Sequence, residues 1–291
     1  MASLDEPGFK ELLVRARAGV GKRRGAFLTC VAISLLMMLP LAWLVRSSFM
    51  EMGQIFIFPP EWIPNPLRLE NYPEAMTVIP FFRYFINTML ILVPSVLGTL
   101  VSSSLAAYGF SRLNWPGRDI IFGILLSTLM LPYIITLLPT FLAWSKVGFI
   151  DTYVPLIVPS WLGVHVFYIF LLRQFFKNLP GELDEAATID GANPIQVFWY
   201  IILPVSRPAL LVVAILSGLN VWNDFLDPLV YINSSDNYTL ALGLSQFTGL
   251  YTSQWNLLMA ASTVIIVPVL IVFFLTQRYF IEGVTMSGLK G

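Results

Sequence analysis

The sequence predicts an all-α integral membrane protein: six transmembrane helices, both termini in the cytoplasm. Three observations carry this. Of 291 residues, 57% are hydrophobic and 12% charged, against about a quarter charged in an ordinary soluble domain. Six segments, 26–48, 84–110, 119–142, 153–175, 208–231 and 258–281, are apolar over roughly the 20 residues a helix needs to cross the hydrocarbon core. With six spans, thirteen of the 17 lysines and arginines fall on the side of the termini and the second and fourth loops. Arg46, Arg68, Arg83 and Lys146 fall on the other, and positive charge marks the cytoplasmic side.

Residues 1–25 read as a basic cytoplasmic tail. Residues 26–82 hold the first span and an outer loop of about 34 residues. The first span is too long for a signal peptide and no small-residue cleavage site follows it, so it stays in the mature protein. Residues 83–283 form a five-helix core and 284–291 a cytoplasmic tail. Pro40, Pro94, Pro132, Pro139, Pro155, Pro159 and Pro268 lie within spans, where neighbouring helices can satisfy the freed carbonyls, and the fourth span is expected to start late. Loops 49–82 and 232–257 are longer than hairpins need. Their Trp62, Tyr72, Tyr251 and Trp255 suit either interfacial anchoring or contact with an external partner.

One cytoplasmic stretch stands apart, "LPGELDEAATIDGANPIQVFWYIILPVSRP", residues 179–208. Pro180 suits a first helical turn. Glu182, Asp184 and Glu185 then sit where the helix dipole favours carboxylates. Gly191 ends that helix. Asn193, Pro194 and Gln196 restart one with a capping box, which runs through Phe198 and Trp199 to Leu203 and Pro204. The result is a helix–glycine–helix elbow. Helix capping alone accounts for the acids; the small Ala186 and Ala187, and the aromatic second helix, suit a surface gripped by another protein.

"EAATIDGA" followed by "FWYIILPVSRP" resembles the EAA loop of bacterial ABC importer permeases, on Glu185, Ala186, Ala187, Asp190, Gly191, Ile201, Leu203 and Pro204. "AAYGFSRLNWPGRD", "WNDFLDPLVYI", "WNLLMAAS" and "QRYFIEGVTMSGLKG" are similar to the carbohydrate-type permeases, in particular the second permease subunit of the maltose type. The resemblance spans nearly the whole chain. It implies a bacterial inner-membrane subunit paired with a second permease subunit. It implies two copies of a cytoplasmic ATPase that receive the elbow as a coupling helix, an extracytoplasmic solute-binding protein, and a carbohydrate, most readily an oligosaccharide, as cargo. The tail Gly288–Gly291 would reach between the ATPases. Glycerol-phosphate or an acidic oligosaccharide are alternative cargoes.

The chain has no GxxxxGK[ST] motif, so ATP and magnesium are expected on the ATPase subunits and no cofactor or metal on this one. Polar residues inside spans are costly and commonly functional. Asn87, His165, Ser217, Asn220, Asn223 and Asp224 are candidates for the substrate pathway, with Trp222 for apolar sugar faces. The competing reading is that the asparagines and serines tie helices together, that His165 packs or bonds between helices, and that Asp224 and Asp227 are solvated. One histidine and one cysteine, Cys30, leave too few ligands or nucleophiles for a membrane enzyme. A stand-alone secondary transporter would call for repeats or intramembrane ion pairs. Nothing indicates nucleic acid.

Overall fold

The computed structural model describes the backbone of residues 9–249 and 253–288 and the side chains of 25–249 and 253–277. The tail side chains 1–24, Tyr251 and the terminal residues 289–291 lie outside it. Among the described residues the regular structure is helical, apart from one isolated antiparallel bridge between Thr248 and Ser253. Four segments are long and apolar enough to cross a membrane, and six are if each of two bent pairs counts as one span.

Helix α1 (Phe9–Ser48) runs back through the expected tail. Its apolar stretch Gly25–Ser48 meets the length test, and residues such as Phe27, Leu36 and Met37 face outward. The loop that follows ends in a helix of its own, α2 (Asn71–Val78). Arg46 pins it by donating from Nε to the Glu61 carbonyl, while its guanidinium covers Trp43 at 4.2 Å. Asn71 Nδ2 donates to the Ser48 and Met50 carbonyls at 2.9 and 2.8 Å.

Helix α3 (Phe81–Ser111) is the hub. One face carries small and polar residues, among them Thr88, Ser95, Gly98, Thr99 and Ser103, all buried. Small side chains let membrane helices approach closely. Here Ser95 and Ser102 donate to the Leu156 and Ser160 carbonyls at 3.3 and 2.8 Å, and Trp161 lies flat over Gly98.

The third, fourth and fifth expected spans are each broken. The third is α4 (Arg118–Ser127) and α5 (Tyr133–Lys146), bent by 99°. Pro132 has no N–H to continue the ladder and holds Leu131 extended. The fourth is α6 (Val154–Trp161) and α7 (Val166–Asn178), separated at Gly163, whose φ is +71°. The expected 208–231 helix stops early. Helix α11 (Arg207–Asn223) ends where Asp224 turns extended, and α12 (Leu226–Tyr231) restarts. The Asp224 carboxylate accepts the Asp227 N–H at 3.2 Å, so a side chain replaces the missing helical acceptor.

Between α7 and α11 lie α8 (Glu182–Ile189), α9 (Pro194–Val197), a π-turn over Phe198–Ile202 and α10 (Leu203–Val205). Helix α13 (Leu240–Gly243) and the long α14 (Trp255–Gly288) complete the chain. Two cores result. One joins α3, α7 and α11 to the 179–208 elbow through Tyr108, Leu172, Phe176, Ala187, Phe198 and Ile202. The other, at the far end, joins α2, α3, α11, α13 and α14 through Ala75, Tyr84, Trp222, Leu240, Phe247 and Ala260.

Candidate functional site

The elbow is built as its residues dictate, with one shift: Pro180 precedes the helix, and Gly181 is its N-cap. At the other end of α8, Gly191 takes φ +84°. Its N–H donates to the Thr188 carbonyl at 3.0 Å, and the Ala192 N–H reaches back to Ala187 at 2.9 Å. This paired closure satisfies two terminal carbonyls, and the left-handed turn favours glycine. The capping box of α9 forms in both directions: Asn193 Oδ1 accepts the Gln196 N–H at 2.9 Å and Gln196 Oε1 accepts the Asn193 N–H at 2.8 Å. Pro204 cannot donate, and its ring crowds the carbonyl four residues back. The helix widens just before it, with Leu203 N–H bonded to the Phe198 carbonyl five residues back.

The elbow has two faces. Inward, Ala187, Val197, Phe198 and Ile202 are buried in the chain's own core. Burying Phe198 or Ile202 away from water is worth about 1.5–3 kcal/mol each. Ala187 therefore seats the elbow on its own helices; a larger side chain there would push it off. Outward, Ile189, Ile195, Trp199 and Tyr200 are exposed, Ile189 by 86% and Tyr200 by 78%. Glu185, Ala186 and Asp190 are also exposed, as is Pro204, while Ile201 and Leu203 are half-buried. Two side chains from the end of α3 hold the elbow. Tyr108 donates to the Pro194 carbonyl at 2.9 Å. Arg112 donates to the Leu179 carbonyl at 2.9 Å and pairs with Asp184 at 3.2 Å.

The candidate pathway residues separate into groups. Asn87 is buried and donates to the Asp236 and Tyr238 carbonyls at 2.8 and 3.0 Å, so it holds a loop. Trp222 is buried against Phe85, with its ring closed to any ligand face. Ser217 bonds the Val213 carbonyl of its own helix at 2.7 Å. His165 Nε2 lies 3.2 Å from Ser160 Oγ, a bond across the break between α6 and α7. Asn220 and Asn223 are exposed on α11. Asp224 and Asp227 are half-buried rather than solvated; Asp227 accepts from the Tyr133 hydroxyl, which ties α12 to the start of α5. Asp224 lines a small cavity with Thr88, Val221 and Thr239.

The loop after α12 is latched by Asp151. Its Oδ1 accepts the N–H groups of Asn233 and Ser234 at 3.0 and 2.8 Å, and its Oδ2 the Ser234 hydroxyl. These bonds, the Ser234 side chain first, hold the Asp151 carboxyl down to about 2. Arg83 pairs with Asp236 at 2.9 Å, and the Leu240 N–H donates to Thr88 Oγ1 at 2.9 Å.

The family described as binding-protein-dependent transport system inner membrane component matches residues 97–285, a stretch that contains the whole elbow. The chain belongs to this family. The permease is 37% identical over 273 residues to the arabinooligosaccharides transport system permease protein AraQ of Halalkalibacterium halodurans, covering 91% of this chain and 94% of that one. It is 32% identical to the diacetylchitobiose uptake system permease protein NgcG of Streptomyces coelicolor, covering 94% and 92%. It is 33% identical to the probable starch degradation products transport system permease protein AmyC of Thermoanaerobacterium thermosulfurigenes, covering 89% and 94%. Among solved structures, a chain of a bacterial ABC transporter involved in the import of the acidic polysaccharide alginate matches with TM-score 0.76 at 22% identity, covering 91% of this chain and 98% of that one. At that identity the likeness is one of fold.

Sequence reasoning missed four polar residues of the permease that the structure brings into use. In the sequence Arg112 and Arg173 are charges that set orientation. In the structure the buried Arg173 donates to the Phe110 carbonyl at 3.0 Å and covers the Phe122 ring at 3.9 Å. Asp151 and Tyr133 carry no motif; the one available signal is a lone acid in a short loop after glycine.

Proposed function

We propose that this permease forms one half of the translocation path of an ATP-driven importer for an oligosaccharide, and that the elbow is the part its ATPase subunits move. The observation that carries the reading is the elbow's division into a buried root and an exposed apolar face of Ile189, Ile195, Trp199 and Tyr200. Exposed apolar surface of this kind marks an interaction site, and aromatic side chains supply much of the energy of such interfaces. Glu185 stands exposed beside that face and pairs with a basic group of the ATPase. ATP and magnesium bind the ATPase subunits. The relatives' arabino-, chito- and starch-derived cargoes support an oligosaccharide.

In this reading a second permease subunit supplies the other half of the path, and the solute-binding protein docks on the side of the 49–80 and 232–249 loops. The elbow and both termini face the cytoplasm of the bacterial cell. Six spans cross the inner membrane: α1, α3, α4 with α5, α6 with α7, α11, and α14. ATP binding draws the elbows of the two permeases together, and their helices rotate as rigid bodies between two states, exposing the path to one side at a time.

The test is co-purification. Trp199→Ala together with Tyr200→Ala, in the complex expressed with all its subunits, should reduce retained ATPase by about tenfold or more, as expected for paired aromatic anchors. Retention at the wild-type level would overturn the assignment.

A further inference from the structure

The elbow is joined covalently to α7 and α11. Helix α3, the hub of the bundle, has no chain connection to it. Their contact is partly apolar, between Ala107, Tyr108, Phe198 and Ala187, and apolar contact is non-directional and can slide. Two polar links fix the register, and both start from the last turn of α3. Tyr108 holds α9 through the Pro194 carbonyl. Arg112, the residue that closes α3, holds the start of the elbow through the Leu179 carbonyl and α8 through Asp184. The Arg112–Asp184 pair is shielded, with side-chain exposures of 10% and 28%.

We infer that Arg112 and Asp184 form the link that carries elbow displacement into α3, and so into the helices packed on it; the inference rests on the coupling role proposed above. The pair has spare capacity. Arg112 Nε and Asp184 Oδ1 are both buried and unbonded. A guanidinium is a planar fork of five donors that can meet a carboxylate through two parallel bonds. A tilt of α8 can therefore exchange one N–H···O contact for another without parting the two charges. The link stays engaged while the elbow swings. Arg112 and Asp184 are positioning residues: they touch neither cargo nor nucleotide.

The experiment uses the complete transporter in nanodiscs, carrying Cys30→Ser. Spin labels are placed at Glu182→Cys on α8 and Leu105→Cys on α3, both exposed positions. Distances are read by double electron–electron resonance with ADP and with ATP plus vanadate. The intact link gives one narrow distribution in both nucleotide states. Asp184→Asn, nearly isosteric, keeps the ATPase subunits bound but shifts and broadens the distribution when ATP binds. The exchanged pair Arg112→Asp with Asp184→Arg restores the narrow one. A purely structural role would not make the spread depend on nucleotide.

The inference is overturned by a wild-type distribution for Asp184→Asn in both states, or by loss of ATPase subunits from that variant, which would make the pair a docking contact. It is equally overturned if the exchanged pair retains its ATPase and still shows the broadened distribution. Failure of the coupling role itself would appear separately, as full ATPase retention by the Trp199→Ala, Tyr200→Ala protein.

Discussion

Removing the Asp151 carboxylate should free the loop that begins at Asn233. The side chain accepts three hydrogen bonds, two from the Asn233 and Ser234 amides and one from the Ser234 hydroxyl. Bonds to a charged acceptor contribute about 1.5–3 kcal/mol each where water is excluded. This site is open to solvent, so water replaces much of what Asp151→Ala removes, and a total of about 2 kcal/mol is expected. At about 1.4 kcal/mol per factor of ten, the two amides should exchange with deuterium roughly 30-fold faster. Asp151→Asn keeps Oδ1 as acceptor and loses the charge, worth about 1 kcal/mol or a fivefold change. Amides in the middle of α14 serve as the unaffected reference. The pH response has a definite sign. The folded carboxyl sits at about 2, below the ordinary 3.8. The latch is therefore at full strength above the unfolded value and is lost as pH falls through about 2. Between pH 5 and 8 the wild-type exchange, corrected for its intrinsic rate, should show no step from this group. Unchanged exchange at Asn233 and Ser234 in the alanine variant would refute the latch.

Two glycines make complementary predictions. A Cβ on Gly98 would lie 2.5 Å from the Trp161 ring, so Gly98→Ala should lower stability by about 1–3 kcal/mol through overpacking. Thermal melting in detergent reads this, with Gly25→Ala, which has open space around it, as the control; equal melting temperatures would contradict close α3–α6 packing. Gly191 also has open space but a φ of +84°, so Gly191→Val should cost about 1–2 kcal/mol through backbone strain alone. Faster exchange at the Ala192 amide should report it, and Gly191→Asn should be milder; equal exchange in the two variants would count against the left-handed closure.

The parts of this fold that are legible in the sequence are those governed by local chemistry. Apolar runs locate α1, α3 and α14 to within a few residues at their outer ends. The elbow's caps follow from Gly191, Asn193 and Gln196 because each acts on atoms within a few residues of itself. The breaks are less legible. Pro132 announces its bend, but the hydrophobic run 208–231 conceals the stop at Asp224, since a carboxylate that caps the next helix reads as one polar residue in an apolar stretch. Pathway candidates fare worst for a related reason. Asn87, Trp222 and Ser217 are polar or aromatic residues whose partners lie far along the chain or one turn away, and spacing says nothing about whether a side chain is already satisfied. Ala187 shows the same limit: its small size signals close approach, and the surface approached is the chain's own.

The π-turn before Pro204 sets the phase of everything upstream of it. A wide turn holds one residue more than the α-turn it replaces, and each residue of an α-helix advances the direction of its side chains by about 100°. Phe198 points inward and Trp199 and Tyr200 outward relative to a downstream helix that begins only after the extra residue. The elbow is thus indexed to α11 like one gear tooth against another. A chain one residue shorter here could keep every motif letter and still present the wrong side of the elbow to the solvent, so the number of residues between Gln196 and Pro204 is as much a part of the signature as their identity.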